Sequence, residues 1–214
     1  MPPSLADLVD PAYTVVVTQE CQRGVLGEPA IFPELAEAAR GAGLVGAVAR
    51  LVEAAREVGV PVVHCVAARR EDGRGSNDNA LLFAAAARAD VKLLLGSPAV
   101  EVLPELGPAP TDLVLTRLHG LGPMGGTDLD PVLRNLGART IVAVGVSVNV
   151  GMIDLVFDAV NAGYRVVLPR DGIAGVPSAY ADAVIEHTLR LLATLTTVDD
   201  VIAAWTSGSG DGRG

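Results

Sequence analysis

Three positions combine a reactive side-chain type with a place where an α/β protein exposes its strand ends. Glu20 lies just past the β-branched run YTVVVT, Arg117 closes TDLVLTR, and His119 comes two residues later in the loop LHGLGPMGG. A carboxylate and an imidazole can pass protons between water and a substrate. A guanidinium can grip an anion with two donors, but it cannot give up its proton as a base. A fourth position matters for what it lacks. GVSVNVGMIDLVFDAVNAGY, residues 145–164, reads as a buried strand running straight into a helix, with Gly151 at the turn. Covalent acyl transfer would need a thiol or hydroxyl there. Glycine leaves backbone N–H donors and space for a water or a substrate atom.

The elements that must carry these residues follow from periodicity. Strands are expected at 13–18, 61–67, 111–117, 140–146 and 165–169, with a weak sixth near 195–198. Helices are expected at 44–57, where Leu44, Val48, Leu51 and Val52 share one side, and at 79–89, 127–137, 149–162 and 178–194. The chain is 50% hydrophobic but only 3% aromatic, so its core must be built from Val, Leu, Ile and Ala. That mixture suits parallel strands buried on both faces. The alternation predicts a three-layer α/β/α fold with a doubly wound, mostly parallel sheet of about six strands. Sites in such sheets gather at the carboxyl ends of the strands, which selects the loops after Thr18, Arg117 and Val146. One domain is expected over 12–205, preceded by an extension at 1–11 and followed by a disordered tail at 206–214.

Composition narrows the function. A net charge of −9 provides no basic stripe for nucleic acid, and no apolar run reaches the length of a membrane span. The start MPPSLADLVDP has neither a basic nor an apolar leader region, which suggests a cytoplasmic protein. GxxxxGK[ST] is absent, and no GxGxxG joins the first strand to its helix, so no nucleotide cofactor is expected. Cys21 and Cys65 lack zinc-ligand spacing, and no metal is expected. Cys65 sits in an apolar run and reads as core. Cys21 should face the opposite way from Glu20, because successive strand residues alternate. His187, between Glu186 and the rest of an exposed helix face, reads as solvated.

Taken together, the three loops resemble the isochorismatase-like hydrolase superfamily over roughly residues 12–205. VVVTQECQRG is similar to the family's first-strand Asp-x-Gln element, with Glu20, Cys21 and Gln22 in those positions. LTRLHGLGPMGGTDL has Arg117 where the family has a catalytic Lys. GVSVNVGMIDLVFDAVNAGY matches the family's nucleophile turn with Gly151 in place of Cys, and VVLPRDGIAG matches the strand and Asp-containing loop that follow. The resemblance implies a hydrolase of a small, carboxylate-bearing molecule that works without a cysteine nucleophile. Isochorismatases set the precedent, since they break a vinyl ether by proton transfer and water attack. It also implies catalytic positions for Glu20 and Arg117, and a substrate-binding surface from Gln22, Ser147, Asn149, Val150 and Gly151. His119 is added as a catalytic proton donor from its place on the loop that would cover the pocket, the competing reading being a solvent-exposed loop histidine. A cis peptide at Val146–Ser147 and a homodimer or homotetramer, with the Ala-rich 79–89 helix as a contact, are further implications. The competing readings are a family member that has lost catalysis and binds a ligand, and a thiol hydrolase that uses Cys21.

Overall fold

Runs of Val, Ile, Leu and Ala assemble into a parallel sheet in the computed structural model, which describes residues 3–208. The elements are α1 (Leu5–Leu8), β1 (Thr14–Gln19), α2 (Arg23–Leu26), α3 (Pro33–Gly41), α4 (Leu44–Glu57), β2 (Val62–Ala67) and α5 (Leu81–Arg88). They continue with β3 (Leu113–Arg117), α6 (Leu129–Asn135), β4 (Thr140–Val146), α7 (Ile153–Asn161), β5 (Arg165–Pro169), β6 (Ile173–Ala174), α8 (Ser178–His187), β7 (Thr194–Thr196) and α9 (Val198–Gly208). The sheet order is β3-β2-β1-β4-β5-β7, with the two-residue β6 paired beside β4. Every named strand pairing is parallel. The expected three-layer α/β architecture is therefore the one observed, with one short strand more than anticipated.

The sheet's two faces divide the core. Val16, Val62, Val66, Val142 and Val144 point toward α4 and α9, where they meet Leu44, Leu51, Val52 and Val201. Val15, Val17, Val63, Ile141 and Ala143 point the other way, toward α6, α7 and α8, with Leu129, Leu133, Leu155 and Ile185. Alternation along each central strand thus fills both layers. β1 and β4 pair over six positions, from Thr14↔Thr140 to Gln19↔Gly145. At the last pair the backbones leave no room for a side chain. A Cβ on Gly145 would lie 2.1 Å from the Gln19 carbonyl oxygen, and Gly145 has φ +118. Only glycine fits there.

Several boundaries differ from the sequence expectation. The helix foreseen over 178–194 stops at His187, because Thr188 leaves helical geometry (φ −123, ψ −61) and a 3-10 turn follows at Leu189–Leu191. α2, α3 and α9 were not anticipated. α9 nevertheless carries a start signal: Thr197 Oγ1 accepts from the Asp200 N–H at 3.1 Å, and Asp200 Oδ2 accepts from the Thr197 N–H at 3.3 Å. That is a capping box. α9 runs through Gly208, so residues 206–208 are helical, and 209–214 of the expected tail lie outside the described residues. The first residues are more than an extension: Val9 is buried in the core, and its carbonyl accepts from Trp205 Nε1 at 2.7 Å. No helix among the described residues is long and apolar enough to cross a membrane.

One polar network is sealed inside the sheet. His64 of β2 has no exposed surface. Its Nδ1 lies 2.8 Å from Thr18 Oγ1 and its Nε2 lies 3.3 Å from Asp112 Oδ2. Asp112 also accepts from Arg56 Nε at 3.1 Å, Arg56 Nη2 at 2.6 Å and the Ala109 N–H at 2.8 Å. A neutral imidazole with its proton on Nε2 satisfies both contacts, with Thr18 donating to Nδ1.

Candidate active site

The switch point of the strand order falls between β1 and β4, and the carboxyl ends of these strands open into a cavity of about 580 Å³. β1 brings Glu20 to the cavity wall and places Gln19 directly behind it, outside the lining. Gln19 is its last residue, and its side chain is buried on the α7 side. Glu20 lies just beyond, with φ +53, the only non-glycine described residue in the left-handed region. This reversal brings both side chains to one place, where Gln19 Nε2 donates to Glu20 Oε1 at 3.2 Å.

Arg117, the last residue of β3, reaches the same point. Its Nη2 donates to Glu20 Oε1 in a short ion pair, and to the Leu121 carbonyl at 2.9 Å. The Arg117 side chain is 7% exposed and that of Glu20 is 20% exposed. Arg117 Nε and Nη1 are buried with no partner among the described residues. A substrate carboxylate therefore cannot take up the two-donor grip on Arg117 that the sequence suggested. The guanidinium instead holds Glu20 in place, clamped from behind by the glycine-rich loop. That loop packs closely on α7: a Cβ on Gly122 would fall 2.2 Å from Asp154 Oδ2.

β4 contributes the turn. The Val146–Ser147 peptide is cis, as the family resemblance implied. Residues Val148–Met152 form a wide π-turn before α7 begins. The N–H groups of Val150 and Met152 both turn back onto the Ser147 carbonyl, at 3.1 and 3.0 Å. These two donors are thus already engaged. Ser147 Oγ donates to Asn149 Oδ1 at 2.7 Å, and Asn149 Nδ2 donates to the Val176 carbonyl at 3.2 Å. Ser147, Asn149, Val150 and Gly151 all line the cavity.

The space beside Gly151 is occupied, contrary to the vacancy that a missing side chain suggested. A Cβ there would sit 2.6 Å from Gln19 Nε2 and 3.2 Å from the Leu121 carbonyl oxygen. The Gln19 carboxamide fills the volume where a nucleophile's side chain would begin. No sequence signal marks Gln19, because a polar residue inside a strand shows no link to Glu20 or Gly151 until the left-handed backbone of Glu20 is seen.

Gln22 needs correction as a substrate-binding residue. It is buried with no exposed surface and lies outside the cavity lining. Its Oε1 accepts from the Ala67 N–H at 2.7 Å, and its Nε2 donates to the Ala67 and Ala99 carbonyls at 3.0 and 3.2 Å. It braces β2 against the segment near Ala99 and has little left for a ligand. His119 lines the cavity but is solvent-exposed, and it makes no side-chain hydrogen bond with Glu20 or Arg117.

Cys21 and Cys65 are both buried and reduced. Cys21 packs in the α4-side core, away from Glu20, as expected. The reason is the chain reversal at Glu20 more than strand alternation, since β1 has ended. Burial, with the Glu20 charge adding to it, pushes the Cys21 thiol up to about 12. Cys65 is likewise pushed up to about 12, with burial outweighing the opposing charge of Arg117. Neither thiol is poised as a nucleophile. Among the described residues no three His, Cys, Asp or Glu side chains cluster as a metal set would.

α5 walls one side of the cavity with Leu82 and Phe83 while Leu81 projects outward, and the stretch from Val25 to Leu35 walls the other.

Comparison with known proteins places this arrangement. The Isochorismatase domain profile matches residues 14–200. A cysteine hydrolase from Pseudomonas syringae pv. phaseolicola 1448A superposes with a TM-score of 0.80 at 25% identity, covering 97% of this chain and 99% of that one. An isochorismatase family protein from Burkholderia thailandensis gives 0.74 at 25% identity, covering 92% and 97%. Among curated sequences, the uncharacterized isochorismatase family protein YwoC of Bacillus subtilis (strain 168) is 34% identical over 92 residues, 43% of this chain and 46% of YwoC. YecD of Escherichia coli O157:H7, of the same description, is 29% identical over 116 residues, 50% of this chain and 61% of YecD. The chain thus spans about half the length of the curated relatives it matches.

Proposed function

This chain belongs to the isochorismatase family, and on that premise we propose that it hydrolyses a small molecule at the Glu20–Arg117 pair without a covalent cysteine intermediate. The supporting observation is the meeting of Glu20 and Arg117 in a cavity at the sheet's switch point, with Gln19 behind them beside Gly151. In this reading Glu20 takes a proton from a water that attacks the substrate. Arg117 positions the carboxylate and balances its charge in a poorly solvated place. The Gln19 amide fixes the side of Glu20 that faces the turn. His119, on the loop at the cavity rim, supplies the proton that the leaving atom needs. Ser147, Asn149, Val150 and Gly151 shape the wall against which the reacting group lies. The test is turnover of a panel of vinyl ethers, amides and esters by the wild-type chain and by Glu20→Gln. Turnover that requires Glu20 supports the reading, and turnover that survives the substitution sinks it.

A second reading is a ligand-binding family member without turnover. Its support is the Gln19 carboxamide, which fills the nucleophile's side of the turn. It is favoured if a ligand binds in the cavity and is recovered unchanged, with binding weakened by cavity substitutions.

A further inference from the structure

The cavity holds a cation that the proposed chemistry does not use. Arg69 follows β2 and lines the cavity, half-buried. Its backbone is fixed on both sides, with its N–H donating to the Leu93 carbonyl at 2.7 Å and its carbonyl accepting from the Leu95 N–H at 2.8 Å. The adjacent Arg70 turns outward to Asp72, at 2.9 and 2.7 Å. Arg69 has no ion pair or side-chain hydrogen bond among the described residues.

The other charges in the cavity do not supply its counter-ion. Glu20 and Arg117 are consumed by each other. Glu34 and Asp78 also line the cavity, but both are exposed, where water and salt screen them. Ser76 and Asn77 add neutral polar groups to the lining, and much of the rest is apolar, including Ile31, Phe32, Leu35, Leu82, Phe83 and Leu93. A half-buried guanidinium next to such a wall matches a molecule with an apolar body and one carboxylate.

We propose that Arg69 is the specificity-determining residue for the carboxylate of an apolar carboxylic acid, whose reactive end then lies toward Glu20 and Gly151. The anion goes to Arg69, because every accessible donor on Arg117 is already engaged. The inference rests on the proposed site only for its location, since it concerns binding and not turnover.

Isothermal titration of the full chain tests it, with 3-phenylpropanoate, the neutral 3-phenylpropanamide and acetate as probes. The acid should bind at least about tenfold more tightly than the amide, the size of one charge-assisted contact. Acetate, lacking the apolar body, should bind far more weakly than 3-phenylpropanoate. Arg69→Gln should abolish the preference for acid over amide while keeping the melting temperature of the wild type. Glu20→Gln should retain that preference even if all turnover is lost, which separates this inference from the proposed reaction. It is overturned if acid and amide bind alike, if the acid does not bind, or if Arg69→Gln keeps the full preference. It is equally overturned if Glu20→Gln raises acid affinity and makes it independent of Arg69, because Arg117 would then be the anion site.

Discussion

The Gln19 carboxamide nitrogen stands 2.6 Å from the place where a side chain at Gly151 would begin. Gln19 ends β1 and Gly151 lies in the turn that follows the neighbouring β4, and each explains the other. A thiol at 151 would collide with Gln19, and a smaller residue at 19 would leave a hole beside Gly151. Gly151→Cys alone should therefore overpack this corner and lower stability by about 1–3 kcal/mol. Combining it with Gln19→Ala should recover much of that loss, as non-additive melting temperatures in a double-mutant cycle would show. Additive effects would mean that the two positions do not share the space.

Glu20 carries the charge that Arg117 needs. Glu20→Gln keeps an oxygen acceptor in place but leaves a nearly buried guanidinium uncompensated. We expect turnover to fall by about a hundredfold or more, with stability reduced by about 1–3 kcal/mol. Chemical denaturation and steady-state rates on one preparation measure both quantities. A variant that turns over normally would remove Glu20 from the reaction.

Both thiols are buried and pushed up to about 12, so neither contributes thiolate at neutral pH. Iodoacetamide at pH 7.5 should leave the native chain unlabelled and its activity unchanged, with two equivalents incorporated only after unfolding. Mass spectrometry reads the count directly. Labelling of Cys21 with loss of activity, prevented by Cys21→Ser, would revive a thiol mechanism.

The sealed His64 gives stability a pH dependence whose sign can be worked out. Burial lowers its pKa first, and the contacts with Asp112 only partly oppose this. Below its ordinary value of about 6.5, the unfolded chain binds a proton that the folded chain refuses. Stability is then lost as pH falls from about 6.5 toward the depressed folded value. Asp112 acts at lower pH. Burial alone would raise it, but the Arg56 and Ala109 bonds outweigh that and hold it below its usual range. Its contribution is present above about 3.8 and disappears as pH falls below that. Urea midpoints between pH 7.5 and pH 5 should fall for the wild type and change less for His64→Gln. Equal slopes would assign the loss to other groups.

The strand ends and the glycine turn were legible because they depend on local pattern. Apolar runs of fixed length marked the strands, and the switch-point rule selected the loops that carry Glu20, Arg117 and Gly151. Gln19 and Gln22 show where such reading stops. Gln19 ends the first strand and Gln22 lies three residues on, and sequence favoured the one that does not touch Glu20. Which of them meets Glu20 is decided by the left-handed backbone of Glu20 and by the distant Ala67 and Ala99 that capture Gln22. Neither relation is written in the spacing of nearby residues. Arg69 was missed for a similar reason, since its role depends on Arg70 and Arg117 having found other partners.

α5 contributes Leu82 and Phe83 to the cavity wall, yet none of its own residues is buried, in contrast to α4 with six. A helix anchored so lightly opens at low free-energy cost. Backbone amides over 81–88 should therefore exchange with deuterium much faster than those of α4. Any guest that packs against Leu82 and Phe83 should slow them, which makes this one segment a built-in reporter of whether the hollow is filled.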